Sequence, residues 1–559
     1  MSSRSILRNT AVVAVLTALS RMLGLVREMF QSRLIGAGVE QSAFAVAFAL
    51  PNMARRMFGE GALTAAFVPV FKGELEADAT HARAVRLARA VMTMSLLMLA
   101  AGVVLAWCLI GGAFWAGLDP SGKWGQTLDY ARILIPYMLF ICAAAFGMGV
   151  LNAFGRFAAA ALMPSILNVV WIAALVFLMC FTTDGTGGFA GTPPVVRRRV
   201  VFLCGAILFA GFLQMAFMLR AMAKKGISPW PSFRGWRDGN VRLVWRNMAI
   251  GCVGAGAVQV NYMLDQALAL KANEWAAGAI GYADRLMELP LGIVGTAFGT
   301  VLLPTFAGFF ARNDLDGARA AFVSSMRNML LVVVPAAVGL VVLAPELTRL
   351  VYHGGRFDEV AVVRVARAVA CYSLGLAFFC AQKTLTPWFQ AQKDLKTPLK
   401  VAVRMVFLNA TLNVAAVFGL PVEWRHVGLA ASTVACSGIS CAWLAALARR
   451  RNGPLGWAHL VRPVGAMLFA SAVMAGVLVA LKRVLAGLGA GGTAGAVLSM
   501  AVFVVSGACV YFGIMAVGDR ATLRGLVDDF RGRRHRPCAC GGGRPRTSAP
   551  TMHTAPRVT

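Results

Sequence analysis

Acidic residues are scarce in this chain: 24 Asp and Glu stand against 54 Lys and Arg among 559 residues, a formal net charge of +30. Charged residues of either sign make up only 14% of the sequence, whereas 58% is hydrophobic and the mean hydropathy is +0.70. This composition excludes a soluble protein and indicates a polytopic membrane protein. The basic residues lie mostly between apolar runs, so anionic lipid head groups are the expected counter-charge and nucleic acid is not an expected partner.

Cysteine and histidine show no metal-site or disulfide spacing. The twelve cysteines are scattered through apolar segments, where small core residues are their expected role, and the six histidines lie in loops or in the tail. At the N-terminus, Arg21 and Arg27 interrupt any signal-peptide core and no small-residue cleavage site follows. The first apolar run is therefore expected to be an uncleaved span.

Fourteen segments are long and apolar enough to be spanning helices, which need about 20 residues each. They are 10–36, 42–70, 86–116, 128–153, 158–181, 199–222, 244–271, 276–309, 322–350, 362–391, 398–419, 427–447, 463–485 and 492–517. An even number of spans places both termini on one side, and the basic connections, such as Arg449 to Arg451, place that side in the cytoplasm. Arg197 to Arg199 and Lys482 with Arg483 are exceptions to this pattern.

The chain also repeats itself. Phe67-Val-Pro-Val-Phe, followed by a charged loop, recurs as Leu302-Leu-Pro-Thr-Phe. We predict an all-α fold of two parallel, pseudo-repeated six-helix bundles around a central cationic cavity, a plan that suits alternating access. The predicted divisions are 1–225 for helices 1–6, 226–452 for helices 7–12, 453–518 for helices 13 and 14, and 519–559 for a basic, disordered cytoplasmic tail.

Arginines inside apolar helices are the strongest functional signal. Arg21, Arg27 and Arg55 lie in the first two predicted spans, and Arg285 lies in the eighth. A lipid-facing arginine costs roughly 2.5–3.5 kcal/mol, so these residues should face an interior and meet an anion. A guanidinium can bind two phosphate oxygens at once, so a lipid-linked diphosphate fits. Arg56 is assigned instead to a helix end.

Other polar residues accompany the arginines. Asn52 shares a helix face with Arg56. The supporting acidic residues are Glu28, Glu60, Asp284 and Glu288. For Arg21 and Glu28, an internal ion pair that holds two helices together is the alternative.

A second polar group comprises Asp265 in the seventh predicted span and Asn409 with Asn413 in the eleventh. Their oxygens could bind Na⁺ as a coupling ion, although interhelical hydrogen bonding is the favoured interpretation. No other cofactor is expected.

Several long motifs together resemble the lipid II flippase family MurJ, also called MviN, of the multidrug/oligosaccharidyl-lipid/polysaccharide exporter superfamily. They are SRMLGLVREMF, LPNMARRMFGEGALTAAFVPVF, YADRLMELPLGIVGTAFGTVLLP and HGGRFDEVAV. The resemblance covers roughly residues 5–520. It implies a fourteen-helix inner-membrane transporter, not an enzyme, that moves the undecaprenyl-diphosphate-linked peptidoglycan precursor lipid II to the periplasmic leaflet for cell wall synthesis.

The resemblance also implies site residues. By motif position, the implied cavity residues are Ser20, Arg21, Arg27, Arg55, Asn168 and Arg285, with Asn52, Glu28 and Glu288 beside them. Helices 13 and 14 resemble those that the family uses as a groove for the lipid tail. Ser42 departs from the pattern, because family members often carry an acid there; its role falls to Glu40 or is dispensed with. Membrane lipids and cell-wall synthesis proteins are the expected partners besides lipid II.

Three other functions stay open. A polysaccharide-lipid or drug exporter of the same superfamily is the first, although cavity arginines repel cationic drugs. A membrane glycosyltransferase would need a catalytic acid or metal on a periplasmic loop, where carboxylates such as Asp119 are isolated. A scaffold without transport activity is the third.

Overall fold

The computed structural model describes residues 3–57, 63–78, 80–181, 193–227, 232, 238–487 and 492–530. Within these ranges the fold is all-helical, and the only extended pairing there is a single bridge between Gly354 and Phe357. The prediction of an all-α chain is confirmed.

The helices of the described ranges follow in chain order. They are α1 (Ser3–Ile35), α2 (Val39–Ala54), α3 (Leu63–Ala77), α4 (Ala82–Trp115), α5 (Lys123–Leu134), α6 (Tyr137–Ala153), α7 (Phe157–Phe181), α8 (Pro193–Ala223), α9 (Gly239–Ala272), α10 (Ala276–Ala311), α11 (Leu315–Tyr352), α12 (Glu359–Leu374), α13 (Leu376–Ala391), α14 (Lys396–Gly419), α15 (Arg425–Asn452), α16 (Ala458–Gly487), α17 (Gly492–Gly518) and α18 (Arg520–Phe530), with a 3₁₀ turn at Val422–Trp424.

Eight helices of the described part are long and apolar enough to cross a membrane. They are α4, α7, α8, α11, α14, α15, α16 and α17. Two bent pairs, α5 with α6 and α12 with α13, raise the number to ten if each pair crosses once. The bends of 44° and 41° occur at Pro136 and Gly375, where the backbone loses a donor or gains freedom.

Buried apolar side chains form three cores. The first joins α1–α8 and the start of α9 around residues such as Trp171, and the second joins the end of α9 to the start of α16 around residues such as Trp388. The third packs α16 and α17 on α11, with Tyr511 fully buried. We refer to α1–α8 as the N-lobe and to α9–α15 as the C-lobe.

Close helix packing in the N-lobe depends on a glycine. A Cβ atom at Gly211 of α8 would lie 2.5 Å from Cδ2 of Tyr137 and 3.3 Å from Cβ of Phe140, both near the start of α6. Glycine therefore lets two backbones approach as small residues do in membrane helix pairs.

The segment expected to be a disordered tail begins with a helix, so that part of the expectation is wrong. In α18, the Asp519 side chain accepts hydrogen bonds from the backbone N–H and hydroxyl of Thr522, which caps the helix start. The helix packs against α11 and α17, with Gly525 close to Arg327. Tertiary packing stabilises a helix too short to be stable alone. Residues 531–559 lie outside the described part.

Two of the basic residues that depart from the expected charge pattern have carboxylate partners. Arg197 forms an ion pair with Asp129, and Lys482 lies 2.8 Å from Glu346 while donating a hydrogen bond to the carbonyl of Val342. Each of these two cations therefore has a carboxylate that offsets part of its charge within the protein.

Candidate functional site

The second helix changes geometry where its arginines begin. Pro51 removes one backbone donor inside α2, the α-helix ends at Ala54, and a π-helical turn continues through Met57. The side-chain amide of Asn52 donates to the carbonyl of Phe48 at 3.2 Å. Such π turns are frequent at functional sites, and here the turn carries Arg55 and Arg56.

A cavity of about 370 Å³ lies between the two lobes. Its N-lobe wall includes Arg27, Glu28 and Asn52, as well as Arg56 and Trp171. The C-lobe wall contributes mainly polar and charged residues from α9, α10 and α14, namely Gln259, Tyr262, Asp265, Gln266, Asp284, Arg285, Glu288 and Asn413. The cavity is therefore lined by both signs of charge in the middle of an apolar protein.

Glu28 links an arginine from each lobe. Its Oε1 atom lies 2.5 Å from Nη2 of Arg27 and 3.6 Å from Nε of Arg285. Arg285 also pairs with Glu288 at 3.0 Å. Glu28 thus pairs with Arg27 and Arg285, although its seven-residue spacing from Arg21 in α1 indicates Arg21 as its partner. Two arginines and two glutamates form one network across the lobe boundary.

Arg27 is also fixed from the α7 side. Its Nη1 atom donates to Oδ1 of Asn168 at 3.1 Å, and its guanidinium carbon lies 4.3 Å from the ring centroid of Trp171. The side chain of Asn168 in turn donates to the carbonyl of Ser20 at 2.9 Å. Asn168 and Ser20 therefore act behind the wall, where they hold Arg27 in place.

The other arginines occupy different positions. Arg21 lies outside the wall and against α10, where a Cβ atom at Gly292 would collide with its guanidinium. Arg55 is partly buried and also lies outside the wall. Arg56, assigned from sequence to a helix end, lines the cavity, with its guanidinium carbon 5.6 Å from the ring centroid of Tyr262. Glu60 lies outside the described residues.

Sequence reasoning missed the aromatic members of the wall, among them Trp171 and Tyr262, which contact arginines. Trp171 stands one helical turn after Asn168, and Tyr262 stands in the same helix as Asp265. Their spacing from polar residues was an available signal, but aromatic residues in apolar helices are common enough to hide it.

Asn409 and Asn413 share a face of α14, and helix packing places them beside Asp265 of α9. Nδ2 of Asn413 lies 2.5 Å from Oδ1 of Asp265 and 2.9 Å from Oδ1 of Asn409, and Asn261 donates to Asp265 at 3.2 Å. The Oδ1 atoms of Asn261 and Asn413 are buried and accept no hydrogen bond from the described residues. Such unsatisfied oxygens are suitable ligands for a small cation. In the described part, no three Asp, Glu, His or Cys side chains are grouped as a metal site.

The lobes are joined at the end where α1 finishes. The backbone N–H of Gly278 donates to Oγ of Ser42 at 3.0 Å, the hydroxyl of Tyr282 donates to the carbonyl of Gly36 at 3.2 Å, and the N–H of Arg356 donates to the carbonyl of Arg33 at 2.9 Å. We call these three contacts the inter-lobe seal. Ser42 thus takes part in the seal as a neutral acceptor.

Comparison with protein families gives a match over most of the chain. A family model described as "Lipid II flippase MurJ" matches residues 31–501. A Burkholderia cenocepacia protein named "Lipid II flippase MurJ" is 32% identical over 429 residues, which cover 73% of this chain and 78% of the relative. A "Probable lipid II flippase MurJ" from Rhizobium tropici is 32% identical over 493 residues, or 86% and 87% of the two chains.

Two solved structures share the fold. One, titled "Lipid II flippase MurJ, inward closed conformation", aligns with a TM-score of 0.73 at 21% identity and covers 92% of this chain and all of its own. An inward-facing multidrug resistance MATE family transporter of the MOP superfamily aligns with a TM-score of 0.61 at 14% identity, over 80% and 98% of the two chains. At these identities the likeness concerns the fold alone.

Proposed function

We propose, since this chain belongs to the Lipid II flippase MurJ family, that its inter-lobe cavity binds the diphosphate of lipid II and carries it across the membrane. The chain is a lipid II flippase, a transporter rather than an enzyme, and it serves peptidoglycan synthesis. The observation that carries the cavity proposal is the shared carboxylate: Glu28 lies between Arg27 of one lobe and Arg285 of the other.

The shared carboxylate suggests how the diphosphate binds. Without substrate, Glu28 supplies the negative charge that two arginines inside a membrane require. A diphosphate offers several oxygens to the same guanidinium groups and so competes with Glu28 for both lobes at once. Arg56 adds a third cation at the wall. Arg21, Arg55, Asn52, Ser20 and Asn168 complete the proposed site, with Glu60, Asp284 and Glu288 as supporting acids.

The cavity has to widen for the head group to enter. A volume of about 370 Å³ is near the lower end for a drug-sized ligand, and a peptidoglycan precursor is larger. Rocking of the lobes about the inter-lobe seal supplies that space in an alternating-access cycle. The tail of the lipid stays in the bilayer, along a groove proposed at α16 and α17, where Leu468 and Phe469 are exposed.

We assign the chain to the bacterial inner membrane, with fourteen spans in two parallel six-helix repeats plus two and with both termini in the cytoplasm. Eight to ten of these spans are clear from helix length and hydropathy, and α1, α2 with α3, α9 and α10 supply the remainder. In this orientation the inter-lobe seal faces the periplasm, so the conformation described is inward-facing. Cell-wall synthesis proteins are proposed partners besides lipid II and membrane lipids.

Na⁺ is the coupling ion that we propose for the group of Asp265, Asn409 and Asn413. Two unsatisfied amide oxygens beside a carboxylate support it. Asp265→Asn should abolish any dependence of lipid II flipping on a Na⁺ gradient in proteoliposomes; a gradient effect of unchanged size would exclude this site.

The flipping role is tested in cells depleted of their own flippase. We expect Arg27→Ala and Arg285→Ala to fail to restore growth at normal protein levels, because each removes one lobe's contact with the diphosphate. An assay of lipid II accessibility on the periplasmic face should show loss of the flipped lipid. Arg132→Ala, an exposed residue of the N-lobe, is the matched control. Normal growth of both cavity variants would refute binding of the diphosphate by these two arginines.

A further inference from the structure

Two arginines near the start of α12 lie over tryptophan rings and have no carboxylate partner within the part of the chain that the structure describes. The guanidinium carbon of Arg364 lies 4.1 Å from the ring centroid of Trp275, and that of Arg367 lies 4.7 Å from the ring centroid of Trp424. Within the described ranges neither guanidinium forms a hydrogen bond or an ion pair with an acidic side chain. Neither residue belongs to the inter-lobe cavity.

Neighbouring cations behave differently. Arg349, at the adjacent end of α11, binds both carboxylate oxygens of Glu359 at 2.8 and 2.7 Å. Lys482, near the same part of α11, has Glu346. The positive-inside pattern leaves few unpaired cations at this end of the membrane, so Arg364 and Arg367 need another source of negative charge.

Three contacts join the segments of the C-lobe that carry the two tryptophans and the two arginines. The side chain of Asn273 donates to the carbonyl of Val422 at 2.9 Å, Nη1 of Arg425 donates to the carbonyl of Ala272 at 3.3 Å, and Nε2 of His426 lies 3.0 Å from the carbonyl oxygen of Arg364. These contacts hold together the segments that carry Trp275 and Trp424. A cation–π contact leaves guanidinium N–H groups able to donate to an anion as well.

Exposed apolar residues surround the two arginines. Val360 is 53% exposed, Val363 is 44% exposed and Trp424 is 46% exposed. Val360, Val363, Arg364 and Arg367 share one face of α12, by spacings of three and four residues. Arginine and tryptophan beside exposed valines are typical of the interface between hydrocarbon and head groups, whereas a water-soluble anion would gain nothing from the valines.

We propose that Arg364 and Arg367, held by Trp275 and Trp424, bind the phosphate head group of an anionic phospholipid in the leaflet at this end of the protein. The phosphodiester oxygens accept from the guanidinium edges, and the acyl chains lie along the valines of α12. The charge of the site and the apolar surface beside it are complementary to such a lipid. The site is separate from the cavity and does not depend on the transported substrate.

Native mass spectrometry of the full-length, detergent-purified protein tests this site. The probes are dioleoyl phosphatidylglycerol and dioleoyl phosphatidylcholine. We expect Arg364→Gln/Arg367→Gln to weaken phosphatidylglycerol binding about tenfold, because two interfacial charges are lost, and to leave phosphatidylcholine binding unchanged. Arg132→Gln, which removes an exposed charge from the N-lobe, should change neither. Equal binding of both lipids to the unmodified protein, or an unchanged double variant, would overturn the proposal.

Three further measurements complete the test. Two competition experiments distinguish a phospholipid from other sources of phosphate, and a conservative double variant distinguishes the loss of charge from other effects of the substitution. Millimolar inorganic phosphate should not displace phosphatidylglycerol; displacement would assign the site to a soluble anion instead. A polyprenyl diphosphate that displaces it at equal concentration would assign the site to substrate and overturn the proposal. Arg364→Lys/Arg367→Lys keeps both charges, so it should retain most of the preference for phosphatidylglycerol, and loss of that preference would contradict a charge-based site.

Discussion

Arg27 illustrates how a charged residue is stabilised inside a membrane protein. It contacts a carboxylate, an amide oxygen and an aromatic face at the same time. Each contact satisfies part of the guanidinium, so the residue pays little of the cost of an isolated buried charge. Asn168 and Glu28 occupy the two terminal nitrogens, and the buried Nε is left without a partner among the described residues, so under the proposed function a diphosphate reaches the terminal nitrogens by displacing Glu28. Binding is therefore an exchange of partners, which permits release as well as capture.

Substitution of Arg27 by lysine tests whether geometry matters beyond charge. Lysine keeps the positive charge but loses the planar fork that binds Glu28 and Asn168 and stacks on Trp171. We expect Arg27→Lys to reduce the lipid II flipping rate in proteoliposomes at least about tenfold, since charge-assisted contacts are typically worth 1.5–3 kcal/mol. Arg132→Lys is the matched control. A flipping rate equal to that of the unmodified protein would mean that charge alone suffices.

For single residues, the sequence predicts which charged side chains lie inside the protein better than it predicts which side chains they contact. Arg27, Arg285 and Glu28 are visible because ionised residues rarely occur in apolar helices. Which residues pair is not visible: the seven-residue spacing suggests Glu28 with Arg21, but helix packing places Glu28 against Arg27 and across the lobe boundary against Arg285. Partners on different helices depend on tertiary packing, and no local pattern encodes it.

The ends and bends of single helices depend on where backbone hydrogen bonding is interrupted. Hydropathy predicts the long apolar helices, such as α4 and α17, with ends shifted by a few residues. It does not predict the bend between α5 and α6, because the apolar run that begins at the end of α5 continues through Pro136 into α6 without a break. Pro136, at the start of α6, was the available signal. Hydropathy also does not predict the short helix α18, because its polar composition resembles that of a disordered segment.

Two glycines of α8 make a matched pair for testing helix packing. Gly211 contacts the rings of α6, whereas a Cβ atom at Gly205 would meet nothing within 4 Å. We expect Gly211→Val to destabilise the purified protein by about 1–3 kcal/mol, because aromatic rings at a helix start cannot move aside without strain. Gly205→Val should have a much smaller effect. Thermal unfolding in detergent measures both, and equal melting temperatures for the two variants would rule out the packing argument.

At the scale of the whole molecule, the charged network and the inter-lobe seal join the two lobes through different kinds of groups. The network joins the lobes through side chains that a substrate can displace, whereas the seal joins them mainly through backbone groups that it cannot reach. In the proposed alternating-access cycle, the seal therefore has to open in a separate step. Ser42 is suited to this because a neutral hydroxyl accepting one N–H is worth only about 1 kcal/mol, less than a carboxylate at the same place.

A disulfide across the inter-lobe seal tests whether the lobes must separate there. A Cβ atom at Gly278 would lie 3.5 Å from Cβ of Gln41, within the separation of about 3.5–4.5 Å that a disulfide needs. We expect Gln41→Cys/Gly278→Cys to stop flipping in proteoliposomes when oxidised and to recover when the bond is reduced. The single variants Gln41→Cys and Gly278→Cys should flip equally well in both conditions, which controls for oxidation of the native cysteines. If the oxidised double variant, with its crosslink verified by mass spectrometry, still flips lipid II at the reduced rate, the lobes do not part at this end and transport has to follow another path.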